Sequence, residues 1–233
     1  MERRRKTWLL GLVLGLLAAC SPAQPDMTAE AELTYLALGD SYTIGQSVAE
    51  ADRFPVQLVA RLREDGLFVA EPEIIAQTGW TTRDLIGALS AGVQQDRYQL
   101  VTLLVGVNDQ FRGYSLERYE QDFVAILDAA IELAGGDPSR VVVLSIPDWG
   151  VTPAGASYDP QRIAAEIDAF NAINRRLSEA AAVAYVDITP ISRQAATRVD
   201  LIAGDGLHPR AELYSLWVIE LYDVVLKVLA DAN

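Results

Sequence analysis

Leu33-Thr34-Tyr35-Leu36-Ala37-Leu38-Gly39-Asp40-Ser41-Tyr42 is the stretch from which the rest of the chain can be read. A short, largely apolar run that stops at Gly-Asp-Ser is the pattern of a strand buried on both faces and ended by a turn. Four similar runs follow, at Ile74–Ala76, Leu100–Val105, Val141–Ile146 and Val183–Ile188. Between them the apolar residues change to helical spacing. Phe54, Leu58 and Leu62 share one face. Leu116, Tyr119, Phe123, Ile126 and Ala130 form a second stripe, and Ile163, Ile167, Phe170 and Leu177 a third. Thr81 through Asp84 has the form of a capping box, and Asp159-Pro160 that of an N-cap followed by a first-turn proline. Ala211–Leu229 reads as a last, strongly apolar helix interrupted by Glu212, Glu220 and Asp223, which argues against membrane insertion. Strands alternating with helices predict an α/β fold, a parallel sheet covered on both faces.

The composition is that of a globular chain. Of 233 residues, 51% are hydrophobic, and the formal charge is −13. With 32 acidic against 19 basic side chains, a nucleic-acid surface is not expected, because phosphate binding needs clustered Lys and Arg. There is one His (His208), one Cys (Cys20) and two Lys (Lys6 and Lys227), which excludes zinc sites built from several His or Cys. Neither a phosphate-binding Gly-x-x-x-x-Gly-Lys-Ser/Thr loop nor a Gly-x-Gly-x-x-Gly fingerprint occurs, so nucleotide use has no support and no cofactor is expected.

In an open parallel sheet, ligands bind at the edge where the strands' C-terminal ends emerge. The first strand is followed by Gly39-Asp40-Ser41-Tyr42, the second by Gln77-Thr78-Gly79-Trp80 and the third by Gly106-Val107-Asn108-Asp109. Gly204-Asp205-Gly206-Leu207-His208-Pro209 lies after the fifth. A serine attacks an ester only if a base takes its proton. His208 is the better base, since Lys227 lies near the end of the last helix. Asp205, three residues before His208, could hold Nδ1 and leave the other nitrogen to Ser41. Pro209 is suited to starting the following helix. An oxyanion needs fixed donors, for which the Ser41 N–H, the Gly79 N–H and the Asn108 side-chain amide are available. Asp40 and Asp109 read as supports of their loops. Tyr42, Trp80 and Trp149 could line an acyl or sugar pocket or pack in the core or at the rim, and Arg112 reads as a surface ion pair rather than a substrate contact.

These four blocks together resemble the SGNH/GDSL hydrolase family, over nearly the whole chain from Leu33 onward. Ser41 matches the nucleophile of Gly-Asp-Ser, Gly79 the second-block glycine, Asn108 the Gly-x-Asn-Asp asparagine, and Asp205 and His208 the Asp-x-x-His pair. Tyr42 departs from the family's Leu. The resemblance implies a flavodoxin-like three-layer α/β/α sandwich, its five-stranded parallel sheet in the order 2-1-3-4-5, and metal-independent hydrolysis of esters or thioesters through an acyl-enzyme. Acyl lipids, simple esters and acetylated sugars are all within its range. A carbohydrate O-acetylesterase and a catalytically silent glycan- or partner-binding lipoprotein are the alternatives. No long insertion is available to build a lid, which points to a small or single-chain ester. Loop 148–158 is expected to shape specificity.

Residues 1–19 read as a secretion signal, with Arg3, Arg4, Arg5 and Lys6 ahead of the apolar run Trp8–Ala19. That run is too short to span a bilayer. Leu17-Ala18-Ala19-Cys20 resembles a bacterial lipobox, which implies cleavage before Cys20, acylation of that residue and membrane attachment in the cell envelope. Ser21 at the next position favours the outer membrane or cell surface. Residues 20–31 read as a flexible tether and 32–233 as the hydrolase domain. Removing residues 1–19 deepens the charge to −16, so the lipid would have to do the anchoring. Nothing in the sequence speaks to oligomeric state.

Overall fold

In a computed structural model of the protein, residues 32–230 are described. The expected signal, lipobox and tether, residues 1–31, lie outside them. Five strands are present: β1 (Tyr35–Gly39), β2 (Glu73–Ala76), β3 (Leu100–Leu104), β4 (Val141–Leu144) and β5 (Ala184–Val186). They form one all-parallel sheet in the order β2-β1-β3-β4-β5. The fold is therefore the α/β architecture, with the strand order that the family resemblance implied.

Burial follows position in the sheet. Every residue of β1, β3 and β4 is buried, whereas β2 at one edge is half-buried throughout and β5 at the other is half-buried in part. The central strands consequently carry unbroken apolar runs. The polar residue in β3, Thr102, is paired with the buried Tyr35 hydroxyl at 2.8 Å. Except for β2, which begins one residue earlier than its run, the hydrogen-bonded strands are shorter than the apolar runs. The run Val141–Ile146 outlasts β4: the Ser145 N–H still donates to the Val186 carbonyl at 2.9 Å, and its hydroxyl accepts the Ile188 and Thr189 N–H groups at 2.8 and 2.9 Å just beyond β5. Leu33 lies ahead of β1 in an isolated bridge to Val69.

The helices are α1 (Ser41–Ile44), α2 (Phe54–Glu64), α3 (Thr82–Leu89), α4 (Val107–Phe111), α5 (Leu116–Leu133), α6 (Pro160–Ala180), α7 (Thr189–Ser192) and α8 (Ala211–Ala230). Helix α2 packs on α8, and α3, α5 and α6 pack in a row, so a helical layer covers each face. The capping box at Thr81 and Asp84 and the Asp159 cap on α6 both form. Leu213, Tyr214, Trp217, Leu221 and Val225 bury the inner face of α8. Each such side chain contributes about 1.5–3 kcal/mol from removal of apolar surface from water. Leu116, at the first position of α5, is exposed, so the stripe begins at Tyr119. No described helix is long and apolar enough to cross a membrane.

Register aligns the functional edge. Gly39 pairs with both Ala76 and Leu104, so the chain leaves β1, β2 and β3 at one level.

Candidate active site

The first loop is tightly constrained. A Cβ on Gly39 would lie 2.1 Å from Thr43 Oγ1 and 2.5 Å from the Leu104 carbonyl, so only glycine fits where β1 ends. Asp40 then caps α1: Oδ1 accepts the Tyr42 N–H at 3.0 Å, and its carbonyl accepts those of Thr43 and Ile44. Ser41 is the first residue of this four-residue helix, so its N–H has no intrahelical acceptor. Gly45 closes the helix with φ +67°, and the Ser41 carbonyl accepts both the Gly45 and Gln46 N–H groups.

The second loop is a turn closed by Trp80 N–H to the Gln77 carbonyl at 3.2 Å. Gly79 is its third residue and has φ +82°, the left-handed value that favours glycine at this position of a type II turn. Two side chains from α4 and its C-terminal end hold the turn. Asn108 Nδ2 donates to the Trp80 carbonyl at 2.8 Å, and Arg112 Nη2 donates to the Gly79 carbonyl at 2.7 Å. A primary amide has two N–H bonds, so Asn108 keeps a second one for the cavity that it lines. Asp109 Oδ2 accepts the Thr82 N–H at 2.9 Å and the Thr82 hydroxyl at 3.1 Å, tying α4 to the start of α3.

Asp205 and His208 meet in the last loop. Asp205 Oδ1 accepts the N–H groups of Leu207 and His208 at 2.9 and 3.0 Å, and Oδ2 lies 2.7 Å from His208 Nδ1. With Nδ1–H donating to the Asp205 carboxylate, Nε2 carries the imidazole's free lone pair. Partial burial pushes the Asp205 carboxyl upward, but the Ser47 hydroxyl, the two amides and the imidazole outweigh it and hold it well below the usual carboxylate range. Pro209 does not start α8, which begins at Ala211. It lies instead in a short antiparallel bridge with Ile202, flanked by Ala203 N–H to the His208 carbonyl and Arg210 N–H to the Leu201 carbonyl. That two-stranded clip fixes the His208 backbone, and a helix start at Pro209 would break it.

All four blocks open on one cavity of about 330 Å³, whose walls include Ser41, Gly79, Asn108 and His208. Ser41 and His208 are both buried among the surrounding loops. Among the described residues no direct hydrogen bond joins Ser41 Oγ to His208; the two face the same space, with the His208 ring 5.4 Å from that of Tyr42. Tyr42 and Trp149 line the cavity, whereas Trp80 packs against the core. Asp40 and Asp109 are supports behind it. Burial pushes Asp40 up to about 7 and Asp109 up to about 6. Arg112 forms the expected ion pair, with Asp84 at 3.8 Å, in addition to its bond to Gly79. A larger groove of about 590 Å³ lies between α2 and α8 and contains none of the four blocks.

Several wall residues were not anticipated. Phe111, one turn after Asn108, and Tyr158 are over half exposed, and both stand edge-on to Trp149 with ring centroids 5.6 and 5.1 Å away. Trp149 Nε1 donates to Gln110 Oε1 at 2.9 Å, and Gln110 Nε2 donates in turn to Glu166 at 2.7 Å. Loop 148–158 thus supplies Trp149, Ala154 and Tyr158 to the wall, and Ala154 N–H binds the Gly206 carbonyl of the His208 loop at 2.9 Å. The sequence signal for Phe111 is its place one helical turn beyond Asn108, and for Tyr158 its place at the end of the loop expected to shape specificity.

The GDSL-like lipase/acylhydrolase family matches residues 37–216, which span the sheet and all four blocks. The chain belongs to that family. No curated protein sequence matches it. Among solved structures, this GDSL hydrolase resembles the psychrotrophic esterase EstA from Pseudoalteromonas sp. in a form inhibited by monoethylphosphonate, with a TM-score of 0.67, 18% identity, and 85% of this chain and 100% of that one covered. It also resembles the lipase/acylhydrolase from Enterococcus faecalis (TM-score 0.65, 20% identity, 85% and 96% covered). A third likeness is to the acetylxylan esterase Axe2 from Geobacillus stearothermophilus (TM-score 0.60, 19% identity, 84% and 94% covered). At these identities the likeness is one of fold.

Proposed function

We propose that the protein is a serine esterase that cleaves carboxylic esters through an acyl-enzyme on Ser41. Ser41 Oγ attacks the acyl carbon as its proton passes to His208 Nε2, while Asp205 holds the Nδ1 proton and stabilises the imidazolium. The Ser41 and Gly79 N–H groups and the Asn108 amide receive the oxyanion. Collapse of the intermediate expels the alcohol, which takes the proton from His208. Water then repeats the sequence on the acyl-enzyme and releases the acid. The observation that carries this reading is the Asp205–His208 pair at 2.7 Å, opening on the same cavity as Ser41, Gly79 and Asn108.

The cavity wall favours an uncharged, small or single-chain ester. Its lining includes no Asp, Glu, Lys or Arg, and much of it is aromatic or aliphatic. A phosphate-bearing substrate would find no cation there. Hydrolysis of p-nitrophenyl acetate by residues 21–233 tests the reading, together with labelling by a fluorophosphonate. Ser41→Ala and His208→Ala should each lower kcat by roughly 10⁴-fold or more, and the probe should modify Ser41. Full activity in Ser41→Ala overturns the proposal, and a chain inert to both ester and probe supports a silent binding protein. Comparing acetylated xylan with lysophospholipid and acyl-CoA separates a carbohydrate acetylesterase from an acyl hydrolase.

We also propose export as a lipoprotein anchored at Cys20, supported by the basic start, the apolar run and Leu17-Ala18-Ala19-Cys20. Incorporation of a palmitate analogue into the wild-type chain but not into Cys20→Ser would support it; equal labelling or none overturns it.

A further inference from the structure

The Asp205 carboxylate has a fourth partner, and it comes from the nucleophile's own loop. Ser47 Oγ donates to Asp205 Oδ2 at 2.6 Å, the same oxygen that lies 2.7 Å from His208 Nδ1. The two residues are 158 positions apart. Ser47 also holds a backbone conformation that serine seldom adopts, with φ +70°. Only Ala182 shares a positive φ among the described non-glycine residues, and it follows the C-terminal cap of α6. Ser47 is exposed and packs no core, so burial does not account for the conformation. What the conformation achieves is the placement of one hydroxyl.

The segment that carries Ser47 is anchored at Ser41. The Ser41 carbonyl accepts the N–H groups of Gly45 and Gln46, and Gln46 Oε1 accepts the Thr78 hydroxyl at 2.7 Å, one residue from Gly79. Gln46 and Ser47 therefore bind the glycine turn and the Asp205–His208 loop to the loop that bears Ser41.

We propose that Ser47 is a positioning residue for the catalytic acid, acting through Asp205 on His208; the proposal rests on the esterase reading. Its hydroxyl fixes Oδ2 against the imidazole and takes up part of that oxygen's negative charge. Without it, Oδ2 is a stronger acceptor for the Nδ1 proton and the charged imidazole is favoured. The carboxylate is also freer to rotate away. Other titratable groups around the pair are Tyr42 on α1, Tyr214 on α8, Arg53 before α2, Asp40 after β1 and Asp148 after β4, and a substitution at Ser47 alters none of them.

Ser47→Gly is the informative variant, because glycine adopts φ +70° freely, so the hydroxymethyl group, which packs against no core, is lost without adding backbone strain. Its urea stability should equal or exceed that of the wild type. Its kcat on p-nitrophenyl acetate should fall about three- to tenfold, the worth of one hydrogen bond, with KM nearly unchanged. The acid limb of its pH–rate profile should move to higher pH. Because the chain has one histidine, NMR titration of the imidazole reads the same displacement without turnover. Ser47→Asn, which tolerates the backbone and restores a side-chain donor, should recover part of kcat. Unchanged kcat and an unmoved imidazole titration in Ser47→Gly overturn the proposal, as does a loss of rate that merely follows a loss of folded protein. A wild-type chain inactive on every ester would instead sink the esterase reading, and the NMR arm would still report on the contact between Ser47 and the pair.

Discussion

Arg112 holds Gly79 by its carbonyl: Nη2 donates to that oxygen at 2.7 Å, while Nη1 lies 3.8 Å from Asp84 on α3. The plane held is that of the Gly79–Trp80 peptide, adjacent to the one bearing the Gly79 N–H, so the arginine steadies the turn that carries that N–H. The guanidinium is about half exposed, and its ion pair adds little to stability. Arg112→Ala should therefore leave the urea midpoint nearly unchanged while kcat on p-nitrophenyl acetate falls about three- to tenfold. A change in KM alone would place Arg112 in substrate binding instead.

Asn108 divides its amide between structure and chemistry. One N–H is spent on the Trp80 carbonyl, which leaves the other for a ligand in the cavity that Asn108 lines. Asn108→Ala removes the donor to the oxyanion and should cost about 10²–10³-fold in kcat. Asn108→Asp is nearly the same size but brings a negative charge toward the oxyanion and to the Trp80 carbonyl, so it should be slower than the alanine variant. Steady-state kinetics on one preparation of each protein decides the order.

What could be read from the chain, and what could not, follows from where each interaction lies in sequence. The strands were legible because burial on both faces demands an unbroken apolar run, and Ser41, Gly79, Asn108 and Asp205 with His208 were legible because each follows a strand. Asp205 and His208 are three residues apart, so their bond is nearly local. Ser47 and Asp205 are 158 apart, and no pattern in either segment announces the other. The same holds for Gln110 beneath Trp149 and for Arg112 on the Gly79 carbonyl, where a long polar side chain looks like any solvated one until the fold supplies its partner. Pro209 shows the converse. Its place before a helical pattern matched a helix start, but the backbone pairing of 201–203 with 208–210 claimed it first.

Gly79 tests the geometry of the turn apart from its packing. A Cβ there would meet nothing within 4 Å, so Gly79→Ala introduces no clash, and its cost is the left-handed φ of +82°. That penalty is about 1–2 kcal/mol for an L-residue. Urea unfolding should show a loss of this size, and Gly79→Asn, better suited to positive φ, a smaller one. A loss well above this range in Gly79→Ala would mean that the alanine is rejected by contact rather than by backbone conformation.

Asp40 and Asp109 give the protein an unusual dependence of stability on pH. Burial pushes them up to about 7 and about 6, Asp40 further raised by the charge of Asp109. In the unfolded chain both ionise near pH 4. Between pH 4 and 7 the folded state therefore retains protons that the unfolded state has released, and stability falls as pH rises through that window. Carboxylates held low, such as Asp84, Asp137 and Asp205, act in the opposite sense: their contribution is complete above the unfolded carboxylate range and is lost only at lower pH. They do not mask the effect. Asp40→Asn keeps an acceptor for the Tyr42 N–H and removes the titration. The wild-type urea midpoint should decline from pH 4.5 to 7.5, and the Asp40→Asn curve should decline less, so that the variant's relative stability increases with pH. Wild-type and Asp40→Asn midpoints that run parallel across this range would show that Asp40 ionises in the folded protein as it does in the unfolded chain.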